Sequence, residues 1–102
     1  KHIKNNDFDP RYNDNYIIRW LASRGQITFM KILLNDKRVD PSDLNNDAVI
    51  WAFLNNHTEA MEIILSDHRF KMTDNLYKSK SIMNMIYQIR QEKLNELIKY
   101  EK

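Results

Sequence analysis

The sequence has no cysteine, one glycine and two prolines among its 102 residues. The absence of cysteine excludes disulfides, thiolate metal sites and cysteine nucleophiles. Because tight β-hairpin turns depend on glycine, its scarcity disfavours compact all-β folds. Apolar runs are only a few residues long, so no segment is predicted to span a membrane. No secretory signal is visible, and we expect an intracellular, cytoplasmic protein.

Charge of one sign is not in strong excess. Sixteen basic and fourteen acidic residues are interspersed along the chain and give a formal net charge of +2. Nucleic-acid-binding domains usually carry a larger basic excess or a basic stripe, so this mixture indicates a solvated surface. With 42% hydrophobic and 29% charged residues, the chain is expected to form one small domain with an ordinary core.

An internal repeat occupies residues 9–70. The identical pairs, 31 residues apart, are Asp9/Asp40, Pro10/Pro41, Asn15/Asn46, Trp20/Trp51, Met30/Met61, Ile32/Ile63, Leu34/Leu65, Asp36/Asp67 and Arg38/Arg69. Unrelated segments of this length and ordinary composition would share about two identities. The two segments are therefore interpreted as copies of one structural unit.

Each repeat is predicted to contain a turn followed by two helices. The inner helices are expected near residues 16–24 and 47–55, and the outer helices near 28–35 and 59–66. Gly25 and Asn56 lie at the breaks between them, where a left-handed residue often ends a helix. One helix pair cannot bury both of its faces, so neighbouring pairs must stack into a helical solenoid.

Two further features of the repeat lead to specific expectations. Thr28 and Thr58 are predicted to cap the starts of the outer helices. Trp20 and Trp51 have apolar neighbours and are expected to stack in the core between repeats. The alternative for this pair is an exposed aromatic ladder that binds a partner. The period itself lies near both the ankyrin and the tetratricopeptide repeat lengths of about 33 and 34 residues.

Three sequence blocks resemble the ankyrin-repeat family. Residues 47–53 (DAVIWAF) are similar to its inner-helix block, residues 56–59 (NHTE) to its Gly-His-x-Glu block, and residues 60–65 (AMEIIL) to its outer helix. The corresponding segments of the preceding repeat are 16–22, 25–26 and 29–34. The run Asp-Lys-Arg-Val-Asp-Pro at 36–41 resembles a divergent subgroup with Asp-x-Arg-Val-Asp-Pro endings. The abundance of Asn, Lys and Ile is typical of AT-rich genomes, such as those of some protists and large DNA viruses.

The predicted organisation is a single all-α, ankyrin-like solenoid domain of stacked antiparallel helix pairs over residues 1–102. Residues 1–8 are expected to be the end of a preceding unit, followed by repeats at 9–39 and 40–70. Residues 71–102 are expected to be a degenerate capping unit. Within it we predict helices near 78–89 and 91–100, the second with its apolar stripe formed by Leu94, Leu97 and Ile98.

No residue pattern points to catalysis, a metal or a cofactor. The oxygen-rich segment 40–47 lacks the central glycine and terminal glutamate of a calcium loop, so turn formation is its expected role. His2, His57 and His68 are too scattered to form a recognisable zinc site. The resemblance implies a structural role for His57, a hydrogen bond across the turn between repeats. A non-enzymatic protein without cofactors is therefore expected.

The resemblance implies binding to another protein through the turn tips and the concave inner-helix face. Matching the family's contact positions gives as expected partner-binding residues Tyr12, Asn13, Ser23, Arg24, Asp43, Leu44, Leu54, Asn55, Asp74, Asn75 and Tyr77. Two alternatives remain open. The segment could serve only to extend or cap a longer repeat array, or a nucleic acid could bind to Lys71, Lys78, Lys80, Arg90 and Lys93. No small-molecule substrate or membrane is expected as a partner.

Overall fold

The computed structural model describes residues 8–100 of the chain. Within that range the regular secondary structure is all helical, without a β-strand, which confirms the predicted all-α class. The helices are α1 (Tyr12–Ser23), α2 (Ile27–Leu34), α3 (Asp43–Leu54), α4 (Thr58–Leu65), α5 (Asp74–Tyr77) and α6 (Lys80–Lys99). They divide between two compact units, Lys1–Lys71 and Met72–Lys102. The predicted end of a preceding repeat and His2 fall mainly in residues 1–7, outside the described range.

The first unit contains two helix pairs that pack against each other. α1 packs against α2 and α3, and α4 packs against α3 and α2. Inner and outer helices therefore alternate along the chain, as the repeat predicted, while the two inner helices contact each other and the two outer helices contact each other. The buried apolar side chains are Ile18, Leu21, Ala22, Met30, Val39, Ala48, Val49, Ala52, Ala60, Met61 and Ile64. Ala22 on α1 and Ala48 and Ala52 on α3 are fully buried, and α1 and α3 pack against each other. Each fully buried Met or Ile side chain contributes about 1.5–3 kcal/mol.

Both inner helices begin with a turn of left-handed backbone. Asn13, Asp14 and Asn15 have φ values of 55°, 57° and 59°, and residues 44–46 have values of 54°, 54° and 66°. This conformation costs about 1–2 kcal/mol for most L-residues and is most accessible to Asn and Asp. The preference explains why these turns are rich in Asn and Asp. The right-handed part of each inner helix follows, from residues 16 and 47 onward.

Two buried asparagines connect each left-handed turn to the segment that follows in the stack. The Asn15 side-chain oxygen accepts from the backbone N–H of Asp40 at 2.8 Å, and its amide donates to the Asp43 carboxylate at 2.8 Å. One repeat later, the Asn46 amide donates to the Lys71 carbonyl at 2.7 Å. Leaving a buried polar group without a partner costs about 1–3 kcal/mol. These hydrogen bonds therefore favour one spacing between successive turns.

An Asp-x-Arg turn follows each outer helix. In the second repeat, Asp67 Oδ1 accepts from the backbone N–H and Nε of Arg69 at 2.9 and 2.8 Å, and Oδ2 accepts from Nη2 at 2.8 Å. The same guanidinium donates to carbonyls of the preceding repeat, at 2.6 Å to Leu34, 2.8 Å to Asp36 and 3.0 Å to Val39. Carbonyls at the end of a helix lack intrahelical donors. Arg69 supplies those donors and thereby joins the two repeats.

The first repeat has a more exposed version of this turn. Arg38 donates to the Asp36 carboxylate at 2.7 and 3.0 Å, and to the carbonyl of Phe8 at 3.5 Å. Hydrogen bonding to Arg38 lowers the pKa of Asp36 to about 2. In the same way, hydrogen bonding from Arg69 holds the pKa of Asp67 below its ordinary value.

The breaks between inner and outer helices are left-handed, as predicted, with φ of 65° at Gly25 and 62° at Asn56. The His57 ring lies against Gly25, so that a Cβ atom at Gly25 would be 2.5 Å from Nδ1. Within the described residues the His57 side chain makes this packing contact with the preceding repeat and not the predicted hydrogen bond. The predicted threonine caps are also wrong, because Thr58 is already the first residue of α4 and Thr28 lies inside α2.

The second unit contains the short helix α5 and the long helix α6. The Ser79 hydroxyl caps α6 by accepting from the Ile82 N–H at 3.2 Å. The predicted division into helices near 78–89 and 91–100 is wrong, because residues 90–93 (RQEK) are strong helix formers and continue the helix. Ile82, Ile86 and Ile89 are buried, whereas the predicted apolar stripe of Leu94, Leu97 and Ile98 is exposed.

Candidate functional site in the inner-helix groove

A groove with a volume of about 320 Å³ lies across α1 and α3. We call it the inner-helix groove, and its lining residues are Tyr16, Arg19, Trp20, Ser23, Arg24, Asp47, Trp51 and Asn55. Those on α1 follow one another at the spacing of a single helix face. Those on α3 stand at the repeat positions of Tyr16, Trp20 and Arg24, so the duplication itself builds a two-row surface.

The two tryptophans form the apolar part of the groove. Their exposed fractions are 43% for Trp20 and 47% for Trp51. The prediction that they stack in the core between repeats is therefore wrong. On the same two helices Ala22, Ala48 and Ala52 are fully buried, whereas the larger indoles are half accessible to solvent.

Arg19 lies at one end of the groove and connects the residues around it. Its Nη1 lies 3.1 Å from Oδ2 of Asp47, and both side chains are largely buried. Its Nε and Nη2 donate at 3.0 Å each to the carbonyls of Asp14 and Asn13 in the left-handed turn. The guanidinium carbon also lies 5.6 Å from the centroid of the Tyr16 ring. One side chain thus stabilises the turn of the first repeat and joins it to the inner helix of the second.

Arg24 stands at the other end, as the C-cap residue of α1. Its guanidinium carbon lies 5.1 Å from the centroid of the Trp20 ring, a cation–π geometry. No carboxylate within residues 8–100 forms an ion pair with it. The groove therefore combines half-exposed indoles, a neutralised Arg19–Asp47 pair and an uncompensated positive charge.

Three predicted partner-binding residues lie in this groove, namely Ser23, Arg24 and Asn55. The hydroxyl of Ser23 donates to the Trp20 carbonyl at 2.7 Å, and the amide of Asn55 donates to the Trp51 carbonyl at 3.0 Å. Both side chains therefore help to end their inner helices as well as facing the groove.

The other predicted residues lie elsewhere. Tyr12, Asn13, Leu44 and Leu54 are exposed at the ends of α1 and α3 but do not line the groove. Asp43 is half-buried, and its carboxylate accepts from Asn15 and from the Leu44 N–H at 2.8 Å each. It is thus engaged within the first unit. Asp74, Asn75 and Tyr77 are exposed on α5 of the second unit.

Sequence reasoning missed five groove residues: Tyr16, Arg19, Trp20, Asp47 and Trp51. The aromatic ladder was the alternative interpretation of the tryptophans, and their recurrence at one repeat position was the available signal. Tyr16, Arg19 and Trp20 also share the helix face of Ser23. Whether this face is buried or exposed depends on how the repeats pack, and the spacing of the residues alone does not determine that.

Other candidate sites are weaker. Among residues 8–100 no group of three or more His, Cys, Asp and Glu side chains could hold a metal ion. The basic residues considered for nucleic acid, Lys71, Lys78, Lys80, Arg90 and Lys93, are all exposed, but Glu92 and Glu96 intervene on α6. In the part of the chain that the structure describes, no helix has the length and apolarity required to cross a membrane.

Comparison of the chain with protein-family models, curated proteins and solved structures gives no match.

Proposed function

We propose that this chain is a non-catalytic scaffold, an ankyrin-like solenoid whose inner-helix groove binds another protein. The observation that carries the proposal is the pair of half-exposed tryptophans at equivalent positions of adjacent repeats, accompanied by Tyr16 and two arginines. Trp, Tyr and Arg dominate the binding energy of protein interfaces, because they offer large contact areas and directed hydrogen bonds.

The rigidity of the groove supports the same proposal. Arg19 links α1, the left-handed turn and α3, and Arg69 links the two outer helices. A preformed surface loses less conformational entropy on binding than a mobile one. Regular helices hold the tryptophans, so a partner would meet them in a fixed arrangement.

Selection and mutagenesis test the proposal. A displayed library of random peptides is selected on the full chain, and dissociation constants of the recovered peptides are measured by fluorescence anisotropy. The variant Trp20→Ala/Trp51→Ala is expected to weaken binding by at least about thirtyfold, the effect of losing hot-spot contacts of about 2 kcal/mol or more. The matched control is Phe29→Ala/Ile32→Ala, which removes two exposed apolar side chains of the outer helix α2.

The control variant is expected to change affinity less than about twofold. Circular dichroism at the assay temperature must show folded protein for both variants. Equal losses in the two variants, or a loss confined to the α2 variant, would contradict the proposal.

A structural role is the second candidate, and the exposed apolar residues of α6 favour it. Leu94, Leu97 and Ile98 project from the last turns, where an adjacent helix could bury them. In this case the segment would extend or cap a longer array without a partner of its own. Peptide binding that depends on Trp20 and Trp51 would argue against this candidate as the sole function.

A further inference from the structure

We infer that the inner-helix groove recognises an acidic peptide segment, with a Glu or Asp carboxylate of the partner on Arg24 and an adjacent apolar side chain on Trp20 and Trp51. This inference rests on the proposed function and specifies the chemistry of its partner. It follows from the distribution of charge in the groove.

Among the three charged residues lining the groove, one has no counter-ion within residues 8–100. Arg19 and Asp47 form an ion pair at 3.1 Å and neutralise each other. Arg24 has no such partner within residues 8–100, and the equivalent residue of the next repeat is the neutral Asn55. The groove therefore has a local excess of one positive charge, which favours an anionic group on the ligand.

The stacking of Arg24 orients this charge. Its guanidinium lies over the Trp20 ring, with the guanidinium carbon 5.1 Å from the ring centroid. A guanidinium carries five N–H donors that radiate in its plane, and two of them match the two oxygens of a carboxylate. Stacking limits the rotamers of Arg24 and leaves its donor edge available. A carboxylate bound there would bring the neighbouring side chain of its peptide close to the indoles.

The same contacts disfavour other ligands. A quaternary ammonium group is best bound by several free aromatic faces together, but Arg24 stands over Trp20 and Arg19 over Tyr16, so that Trp51 would have to bind it without them. A phosphate carries up to two negative charges and usually binds to a cluster of arginines, whereas only one guanidinium here is uncompensated. Nucleic acid requires several phosphate contacts, which the same single charge cannot supply.

The acidic residues Asp14 and Asp43, outside the groove, do not neutralise the positive charge of Arg24. Asp14 belongs to the turn at the opposite end of α1, and Arg24 lies eight positions after Tyr16 along the regular helix. That segment spans about 12 Å, which exceeds the screening length of about 8 Å at physiological salt. Asp43 is the first residue of α3, at the opposite end of that helix from Asn55, the residue equivalent to Arg24. A peptide lying along the groove is therefore expected to place its acidic residue at the Arg24 end.

The test uses peptides selected on the full chain from a displayed library of unmodified random sequences. The inference predicts enrichment of a Glu or Asp next to an apolar residue. Dissociation constants are then measured for the wild type, for Arg24→Gln and for Arg90→Gln. Arg90 is exposed on α6, so the control makes the same change of charge outside the groove.

We expect Arg24→Gln to weaken binding about tenfold and Arg90→Gln less than about twofold. Replacing the peptide's acid by its amide should weaken binding to the wild type about tenfold and to Arg24→Gln very little. This non-additivity distinguishes a direct contact from a general charge effect.

The outcomes separate the two proposals. Two results overturn the carboxylate inference and leave the proposed function intact. In the first, the selected peptides require Trp20 and Trp51 but show no enrichment of acidic residues. In the second, they bind Arg24→Gln and Arg90→Gln with equal affinity. Peptides indifferent to Trp20→Ala/Trp51→Ala, or a selection that enriches none, overturn both.

Discussion

The clearest quantitative consequence of the structure concerns Arg69. Replacing it by Met retains much of the aliphatic side chain but removes the donors to three carbonyls of the preceding repeat, those of Leu34, Asp36 and Val39. At about 1 kcal/mol of net stability for each of these three hydrogen bonds, Arg69→Met should reduce the free energy of unfolding by at least about 3 kcal/mol, because its pair with Asp67 is lost as well. The side chain of Arg69 is only 18% exposed, so water can replace few of the lost donors.

Arg38→Met is the matched control, because Arg38 occupies the same position one repeat earlier. Its side chain is 45% exposed and makes one long carbonyl contact of 3.5 Å. Arg38→Met should therefore destabilise the protein much less than Arg69→Met, because exposed ion pairs contribute little to stability.

Urea unfolding followed by tryptophan fluorescence measures both variants, since both tryptophans belong to the first unit. If Arg69→Met is no more destabilising than Arg38→Met, the role assigned to Arg69 in joining the repeats is wrong.

Two further predictions concern stability. Gly25→Ala should destabilise the first unit by about 2–4 kcal/mol, because it combines a left-handed alanine with a Cβ atom 2.5 Å from the His57 ring. Asn56→Gly, at the equivalent left-handed position, should be neutral or slightly stabilising, and similar effects in thermal melts of the two variants would refute this explanation. Since the folded-state pKa of Asp67 lies below its unfolded value, its contribution to stability is present above about pH 4 and is lost as the pH falls through the folded pKa. Asp67→Asn should therefore reduce the acid sensitivity of unfolding, and an unchanged dependence on pH below about 4 would show that the Arg69 contact is unimportant.

Much of the first unit could be predicted from the offset of 31 residues. The offset correctly indicated two inner and two outer helices, with left-handed residues at Gly25 and Asn56. Helix periodicity and turn chemistry are local properties, and local sequence is sufficient to reveal them.

The left-handed turns at 13–15 and 44–46 could not be predicted in this way. Asn15 is held by Asp40 and Asp43, which lie 25 and 28 residues further along the chain. The conformation therefore depends on the stacking of the next repeat. The two-helix prediction for residues 78–100 was wrong for a different reason, since a helix boundary was assigned where no glycine, proline or capping residue interrupts α6.

The candidate site was only partly accessible to sequence reasoning. Ser23, Arg24 and Asn55 were singled out and lie in the groove, but Trp20 and Trp51 were assigned to the core. The periodicity of an amphipathic helix identifies its apolar face, but it does not predict how much of that face is buried. Here Ala22, Ala48 and Ala52 are fully buried, whereas the tryptophans of the same helices are half exposed.

Accessibility of the two indoles tests the central claim most directly. Acrylamide quenching of tryptophan fluorescence is measured for the free chain and for its complex with a selected peptide that contains no tryptophan. Because Trp20 and Trp51 are 43% and 47% exposed, both should be quenched in the free protein and protected in the complex. Indoles already shielded in the free protein would contradict the groove itself. Indoles equally quenched with and without bound peptide would contradict its assignment as the binding surface.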